Sequence, residues 1–161
     1  MRMKMSFKSQ YIMSLFDQVS KDIVAAMKAK DKVRLEALRN IKKFFIEAKT
    51  APGANDTLDD AGALKILAKL AKQGRDTAAL YHEQNRPDLA EEEEAQAKVI
   101  EEYLPKALTP EELEAEVKAI IAQVGATSAK DMGKVMGVAS KQLAGRADGR
   151  AISTLVKQLL A

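Results

Sequence analysis

Six basic residues are interspersed with glycines near the carboxyl end of the chain: Lys130, Lys134, Lys141, Arg146, Arg150 and Lys157. On a helix, Lys130, Lys134 and Lys141 stand at i, i+4 and i+11, so they share one face. Arg146 and Arg150 flank a predicted helix N-terminus, where backbone N–H groups favour phosphate. The pattern predicts a surface that contacts a nucleic-acid backbone. Since this stretch holds no aromatic residue, we expect it to recognise RNA shape rather than single-stranded sequence.

Four glycines lie between these basic residues, at Gly133, Gly137, Gly145 and Gly149. Gly133 and Gly137 are four residues apart inside a predicted helix, where each costs about 1 kcal/mol relative to alanine. Two interpretations stay open. The glycines permit tight packing on a neighbouring helix, or they let an RNA backbone come close.

Residues suited to catalysis or metal binding are scarce. The chain has no cysteine and one histidine, His82, which excludes disulfides, thiol catalysis and the usual zinc ligand sets. The acidic run Glu91–Glu94 and the pair Glu111-Glu112 occupy predicted helix starts, where carboxylates complement the helix dipole. No nucleotide-binding loop or nucleophile motif occurs. We therefore predict no catalytic residue, no metal site and no cofactor.

The composition predicts an all-α protein that positions these residues on helices. Aromatic residues make up 4% of the chain and tryptophan is absent, which favours helices over a β-sandwich. Residues 1–12 lack periodicity and are interpreted as a flexible leader. A domain of about four helices is predicted over residues 13–108.

Capping residues and apolar spacing mark the four helices of that domain. Ser14 and Asp31 are predicted to cap the first two, Thr57 with Asp60 to open the third, and Arg86-Pro87-Asp88 to start the fourth. Gly74 is a candidate bend within the third helix. The apolar residues at helical spacing in the first two helices are Leu15, Val19, Ile23, Met27, Val33, Leu38, Ile41 and Phe45.

A second domain of three helices is predicted over residues 109–161. Pro105 ends the fourth helix, and Thr109 begins the next one with a capping box completed by Glu112. A second capping box is predicted at Ser128 and Asp131, ahead of a helix that Gly145 ends. Asp148 is predicted to cap the last helix.

The net charge of +3 conceals a segregation of charge along the chain. Residues 1–49 hold 12 basic and 5 acidic residues, 50–128 hold 8 and 16, and 129–161 hold 6 and 2. Basic ends attract polyanions through a salt-sensitive electrostatic attraction. No apolar stretch is long enough for a membrane span or a signal peptide, so we expect a cytoplasmic protein without a membrane partner.

Several segments resemble the YqeY family. The matching stretches are Met27-Lys28-Ala29-Lys30-Asp31, Arg34-Leu35 to Leu38-Arg39, Gln73-Gly74-Arg75-Asp76, Glu101-Glu102-Tyr103-Leu104-Pro105, Lys130 to Gly137 and Gly145 to Arg150. The resemblance implies a helical N-terminal domain and a three-helix C-terminal domain. The latter is similar to the tail of the B subunit of the glutamine-dependent aspartyl/glutamyl-tRNA amidotransferase, the part of that enzyme that reaches the tRNA body.

Three functions follow as hypotheses. The first is a tRNA-binding accessory protein, acting alone or with an aminoacyl-tRNA synthetase or amidotransferase complex. The second is an amidotransferase-type enzyme, since the resemblance implies carbon–nitrogen ligase activity with glutamine as amido donor. However, residues 13–161 show no nucleophile for glutamine hydrolysis and no magnesium–phosphate site. The third is a protein-interaction module in which the glycines serve packing alone.

Overall fold

The computed structural model describes residues 13–161, so the predicted leader lies outside the described residues. This part of the chain is all-helical, which confirms the predicted fold class. It forms two compact units, of which the first ends at Tyr103 and the second is Leu104–Ala161. The domain boundary predicted from the sequence lies a few residues later, at Thr109. Within the described range, no helix is long and apolar enough to cross a membrane.

The first unit contains four helices, α1 (Leu15–Ala29), α2 (Lys32–Thr50), α3 (Asp60–Glu83) and α4 (Pro87–Glu101). The Ser14 and Asp31 side chains cap α1 and α2, as predicted, by accepting the N–H groups of Asp17 and Arg34.

The cap of α3 differs from the prediction. Asp59 is the N-cap and accepts the N–H of Gly62. Thr57 instead donates its hydroxyl to the carbonyl of Ala54, and Asp60 accepts the N–H of Leu15 at 3.1 Å. The Thr57 hydroxyl thus serves the preceding turn, and α3 begins later than predicted.

Small residues let α3 and α4 pack closely. Ala71, Ala78, Ala90 and Ala97 are buried on these two helices. α3 continues through Gly74 without a break, and a β-carbon there would lie 3.4 Å from that of Ala97. Gly74 therefore belongs to a close helix contact, and the helix does not end there.

The predicted apolar stripes of α1 and α2 are correct in part. Leu38, Ile41 and Phe45 are fully buried, whereas Met27 and Val33 are 52% and 46% exposed. α1 is buried along Val19 and Ala26, seven residues apart. Met27 follows Ala26 by one residue, which turns it about 100° away from that line, and Val33 lies in the first turn of α2.

The second unit contains α5 (Pro110–Val124), a 3₁₀ turn (Ala129–Asp131), α6 (Met132–Gln142) and α7 (Gly149–Leu160). These helices and Leu143, which directly follows α6, supply one apolar core: Leu113, Val117, Ile120, Val135, Ala139, Leu143, Ile152, Val156 and Leu160. The capping box of α5 forms as predicted, with Glu112 N–H donating to Thr109 Oγ1 and Thr109 N–H donating to Glu112 Oε1, both at 3.1 Å.

The start of α6 differs from the prediction. Ser128 makes no side-chain cap, and Asp131 Oδ2 accepts the N–H of Thr127 at 3.0 Å. The 3₁₀ turn takes up the residues that were expected to form the first turn, so α6 begins at Met132. It ends at Gln142, and Gly145 lies in the following turn with φ +75°.

Candidate nucleic-acid interface

A groove on the second unit brings together part of the predicted basic surface. It is open to solvent and has a volume of about 640 Å³. Its walls come from α6 and from one residue of α5: Gly133, Lys134, Gly137, Val138, Lys141, Gln142 and Gln123. Lys134 and Lys141 are exposed and seven residues apart, two turns along the same face of α6.

The two glycines of α6 leave open space in this groove. A β-carbon at Gly133 or Gly137 would meet no heavy atom of a neighbouring element within 4 Å. Gly74 differs, because its β-carbon would touch Ala97 on α4. Among residues 13–161, no helix packs against the two glycines of α6, so tight packing within the described chain does not account for them.

The remaining predicted basic residues lie elsewhere on the second unit. Lys130 belongs to the 3₁₀ turn, so it is not on the helical face expected for it. Arg150 lines a different groove of about 450 Å³, formed with Pro110 and Leu113 of α5. Lys157 is exposed in the last turn of α7. The structure therefore places two of the six basic residues in one groove and does not gather all six.

Arg146 is partly buried, and its backbone is tied into the unit. Its carbonyl accepts the N–H of Leu108 at 2.9 Å. Gly145 beside it has a positive φ, a conformation that glycine adopts without steric cost. The turn geometry thus accounts for Gly145. Gly149 opens α7, and a β-carbon there would meet nothing within 4 Å.

Comparison with known proteins identifies the family. The family model described as Yqey-like protein matches residues 16–160. The chain belongs to the YqeY family. A curated relative from Vanderwaltozyma polyspora, "Altered inheritance of mitochondria protein 41, mitochondrial", is 32% identical over 115 residues, which is 70% of this chain and 60% of the relative.

Two further relatives carry the same description. The one from Lachancea thermotolerans is 29% identical and covers 68% of this chain; the one from Kluyveromyces lactis is 32% identical and covers 64%. The matched regions are 58% and 56% of those relatives. The YqeY-family chain thus spans less than two thirds of the length of the curated relatives it matches.

The family-like residues of the first unit tie helices together. Arg34 Nη1 lies 2.7 Å from Glu102 Oε2, and Arg75 Nη2 lies 2.6 Å from Glu101 Oε1. The Tyr103 hydroxyl donates to Asp22 Oδ2 at 2.5 Å. Burial and the Asp22 carboxylate raise the pKa of Tyr103 well above its ordinary value. Residues of the segments that resemble the family therefore form contacts between the helices of the first unit.

Two acidic residues of the second unit, Asp131 and Asp148, accept backbone N–H groups. The Thr127 N–H holds the pKa of Asp131 below its ordinary value, with a further contribution from Lys134. The Asp148 side chain caps α7. Of the ion pairs between residues 13–161, none involves the six predicted basic residues. None of the six is therefore held in a close ion pair by a carboxylate of the described chain.

Sequence reasoning missed two amides of the groove. Gln142 is adjacent to Lys141 and eight residues from Lys134, a helical spacing that places it near the same face. Gln123 comes from α5, and no local signal connects it to α6. The described residues contain no cluster of three or more His, Cys, Asp or Glu side chains arranged to hold a metal ion.

Proposed function

We propose that this YqeY-family chain is a tRNA-binding accessory protein whose second unit contacts the phosphate backbone along α6. One observation carries the proposal. Lys134 and Lys141 line a groove whose wall includes two glycines with open space in place of side chains. Lysines contact phosphates, and bare helix backbone lets a strand come closer than any side chain would permit.

In the proposal, other exposed basic residues of the second unit add phosphate contacts outside the groove. Lys130, Arg150 and Lys157 are exposed on the same unit, and each phosphate contact adds to affinity by releasing counterions. The groove residues themselves offer amides and ammonium groups without an aromatic ring. Recognition by this surface therefore depends on backbone and shape.

The biological setting is part of the proposal. An aminoacyl-tRNA synthetase or an amidotransferase complex is the expected partner, because the resemblance connects the second unit with a tRNA-contacting tail. A cytoplasmic location is proposed for this chain, although the names of the curated relatives describe those proteins as mitochondrial. Fractionation of cells that express the native gene tests the location.

Neutralising the groove tests the proposed function. The double variant Lys134→Gln/Lys141→Gln is compared with Lys65→Gln/Lys69→Gln, which removes two exposed lysines on α3. Binding of bulk tRNA is measured by fluorescence anisotropy between about 50 and 200 mM salt. The groove variant is expected to bind several-fold more weakly and to reduce the slope of log K against log salt by about 2.

The control variant is expected to retain nearly all of the affinity and most of the slope. An equal loss in both variants would attribute binding to net charge and not to the groove. Salt-insensitive binding, or no binding by the unmodified chain, would contradict the proposed function.

The proposed accessory role and the enzyme that the resemblance implies differ in whether the chain hydrolyses glutamine. The pure chain, given glutamine, ATP and misacylated tRNA, is expected to release no glutamate above a blank without protein. Glutamate release that depends on the chain would favour the carbon–nitrogen ligase instead.

A further inference from the structure

A second cleft, on the first unit, is small and is lined partly by polar side chains. It lies between α2, α3 and α4 and has a volume of about 220 Å³, below the ~300–1,000 Å³ typical of pockets for drug-sized ligands. Its polar lining residues are Asn40, Gln73, Thr77, Glu93 and Gln96. Phe44 contributes an aromatic ring, and Gly74 of α3 faces Ala97 of α4.

The polar side chains of the cleft are unused by the fold. None of the five forms a hydrogen bond or ion pair with another residue of the described part of the chain. The neighbouring acid Glu94, by contrast, is 2.7 Å from His82. Three amides, a hydroxyl and a carboxylate therefore remain available around one small space.

These groups match the edge and the face of a nucleobase. A carboxamide presents a donor beside an acceptor, the pairing that Asn and Gln use on adenine, and a carboxylate accepts from the exocyclic amine of cytosine. An aromatic ring such as that of Phe44 stacks on an unpaired base. We propose that the cleft binds a single nucleobase bearing an exocyclic amine, adenine or cytosine.

Positive charge next to the cleft fits the phosphate of the same nucleotide. Lys43 Nζ lies 5.5 Å from the centroid of the Phe44 ring, and the exposed Arg39 lies one helical turn before Lys43 on α2. Neither is in an ion pair with a described residue. A base that carries a phosphate can use both the stacking ring and these cations.

If the base belongs to RNA, this inference rests on the proposed function, because bound RNA supplies unpaired bases. A free nucleotide offers the same chemistry. The first unit would then provide the stacking ring that is missing from the basic surface of the second. Base reading and backbone contact would be divided between separate parts of the chain.

Nuclear magnetic resonance tests the cleft directly in the full chain. Side-chain NH₂ signals of Asn40, Gln73 and Gln96 are followed during titration with adenosine, cytidine, uridine, adenosine 5′-monophosphate and the hexanucleotide of adenylate. Adenosine and cytidine are expected to shift these signals, and uridine, which has no exocyclic amine, to shift them less. Tighter binding of the hexanucleotide than of adenosine 5′-monophosphate would identify RNA as the source, and equal binding of these two phosphate-bearing ligands would identify a free nucleotide.

Variants make the assignment specific. Phe44→Leu keeps an apolar side chain but removes the stacking ring, and is expected to weaken adenosine binding by about tenfold. Gln73→Leu replaces an exposed amide of the cleft and is expected to weaken binding several-fold, whereas Gln18→Leu, an exposed amide on α1, leaves it unchanged. Absence of shifts with every ligand, or equal effects of Gln73→Leu and Gln18→Leu, would overturn the proposal. tRNA binding that depends on Lys134 and Lys141 would still stand in that case, so the two failures are distinguishable.

Discussion

At the scale of single residues, Gly133 and Gly137 occupy helical positions where alanine would fit. A β-carbon meets no neighbouring element at either position, and alanine restricts the unfolded chain more than glycine does. Gly133→Ala and Gly137→Ala are therefore expected to raise the free energy of unfolding by about 0.4–1 kcal/mol each, while tRNA binding weakens. Urea unfolding and tRNA titration of the same variants measure the two effects.

Gly125 provides the matched control for this prediction. It also has open space around it, but its φ is +68°, which disfavours any residue with a β-carbon. Gly125→Ala is expected to lose stability and to leave the α6 groove as it is. If both α6 variants were destabilised, the glycines would have a packing role outside the described contacts.

The Tyr103 hydroxyl stabilises the first unit, and alkaline pH is expected to remove this stabilisation. Its hydroxyl donates to Asp22, and its pKa is raised above the ordinary value of 10.0. The unfolded chain loses this proton first, so the contribution is complete below pH 10.0 and declines as the pH rises towards the folded pKa. Tyr103→Phe is expected to be less stable at neutral pH by about 1 kcal/mol. As the pH rises above 10.0, the variant is expected to lose less stability than the unmodified chain.

Urea midpoints across the alkaline range check this expectation. All other ionisable groups are common to the two proteins, so the difference between them isolates Tyr103. Parallel pH profiles for the two proteins would contradict the assigned hydrogen bond.

At the scale of elements, the capping box of α5 links its stability to acid pH. The Thr109 N–H, followed by the Thr109 side chain, holds the pKa of Glu112 below its ordinary value of 4.5. A carboxylate whose pKa is lowered in the folded state stabilises the protein at pH values above its ordinary pKa. This stabilisation is lost as the pH falls through the folded pKa. Glu112→Gln is therefore expected to be less stable at neutral pH and less sensitive to acidification below pH 4.5.

Thermal unfolding at a series of acid pH values measures this difference. Glu114→Gln is the matched control, because Glu114 is exposed on the same helix and pairs with Lys118 at 3.2 Å. A similar change in both variants would assign the effect to overall charge.

The elements also show what the sequence could predict. Ser14, Asp31, Thr109 and Gly125 form caps through groups a few residues away, and such local signals are legible in one sequence. The exposure of Met27 depends on which residues of other helices cover α1. Packing of that kind joins distant parts of the chain, so periodicity alone assigns it poorly.

The same distinction applies to the candidate sites. Lys134, Lys141 and the glycines of α6 were found from their spacing on one helix. The cleft of the first unit collects Asn40, Gln73 and Gln96 from three different helices, which are far apart in the sequence. Sequence reasoning thus found a surface built on one helix and missed a cleft built by three.

At the scale of the whole molecule, each of the two compact units has a core of its own. Leu143 is fully buried in the core of the second unit, and Ile41 is fully buried in the first. Truncating a buried leucine or isoleucine to alanine costs about 2–5 kcal/mol. A core in a module as small as the second unit rarely contributes more than about 3–5 kcal/mol of net stability. One substitution is therefore enough to unfold it.

Leu143→Ala is expected to abolish hydrogen-exchange protection in α5, α6 and α7 and to remove tRNA binding. Protection in α1–α4 and base-induced shifts at Asn40 are expected to remain, because residues of the first unit supply that core and that cleft. Ile41→Ala is expected to give the reverse pattern. Exchange read by mass spectrometry assigns protection to each helix, and loss of protection throughout the chain from either substitution would show that the two cores unfold as one.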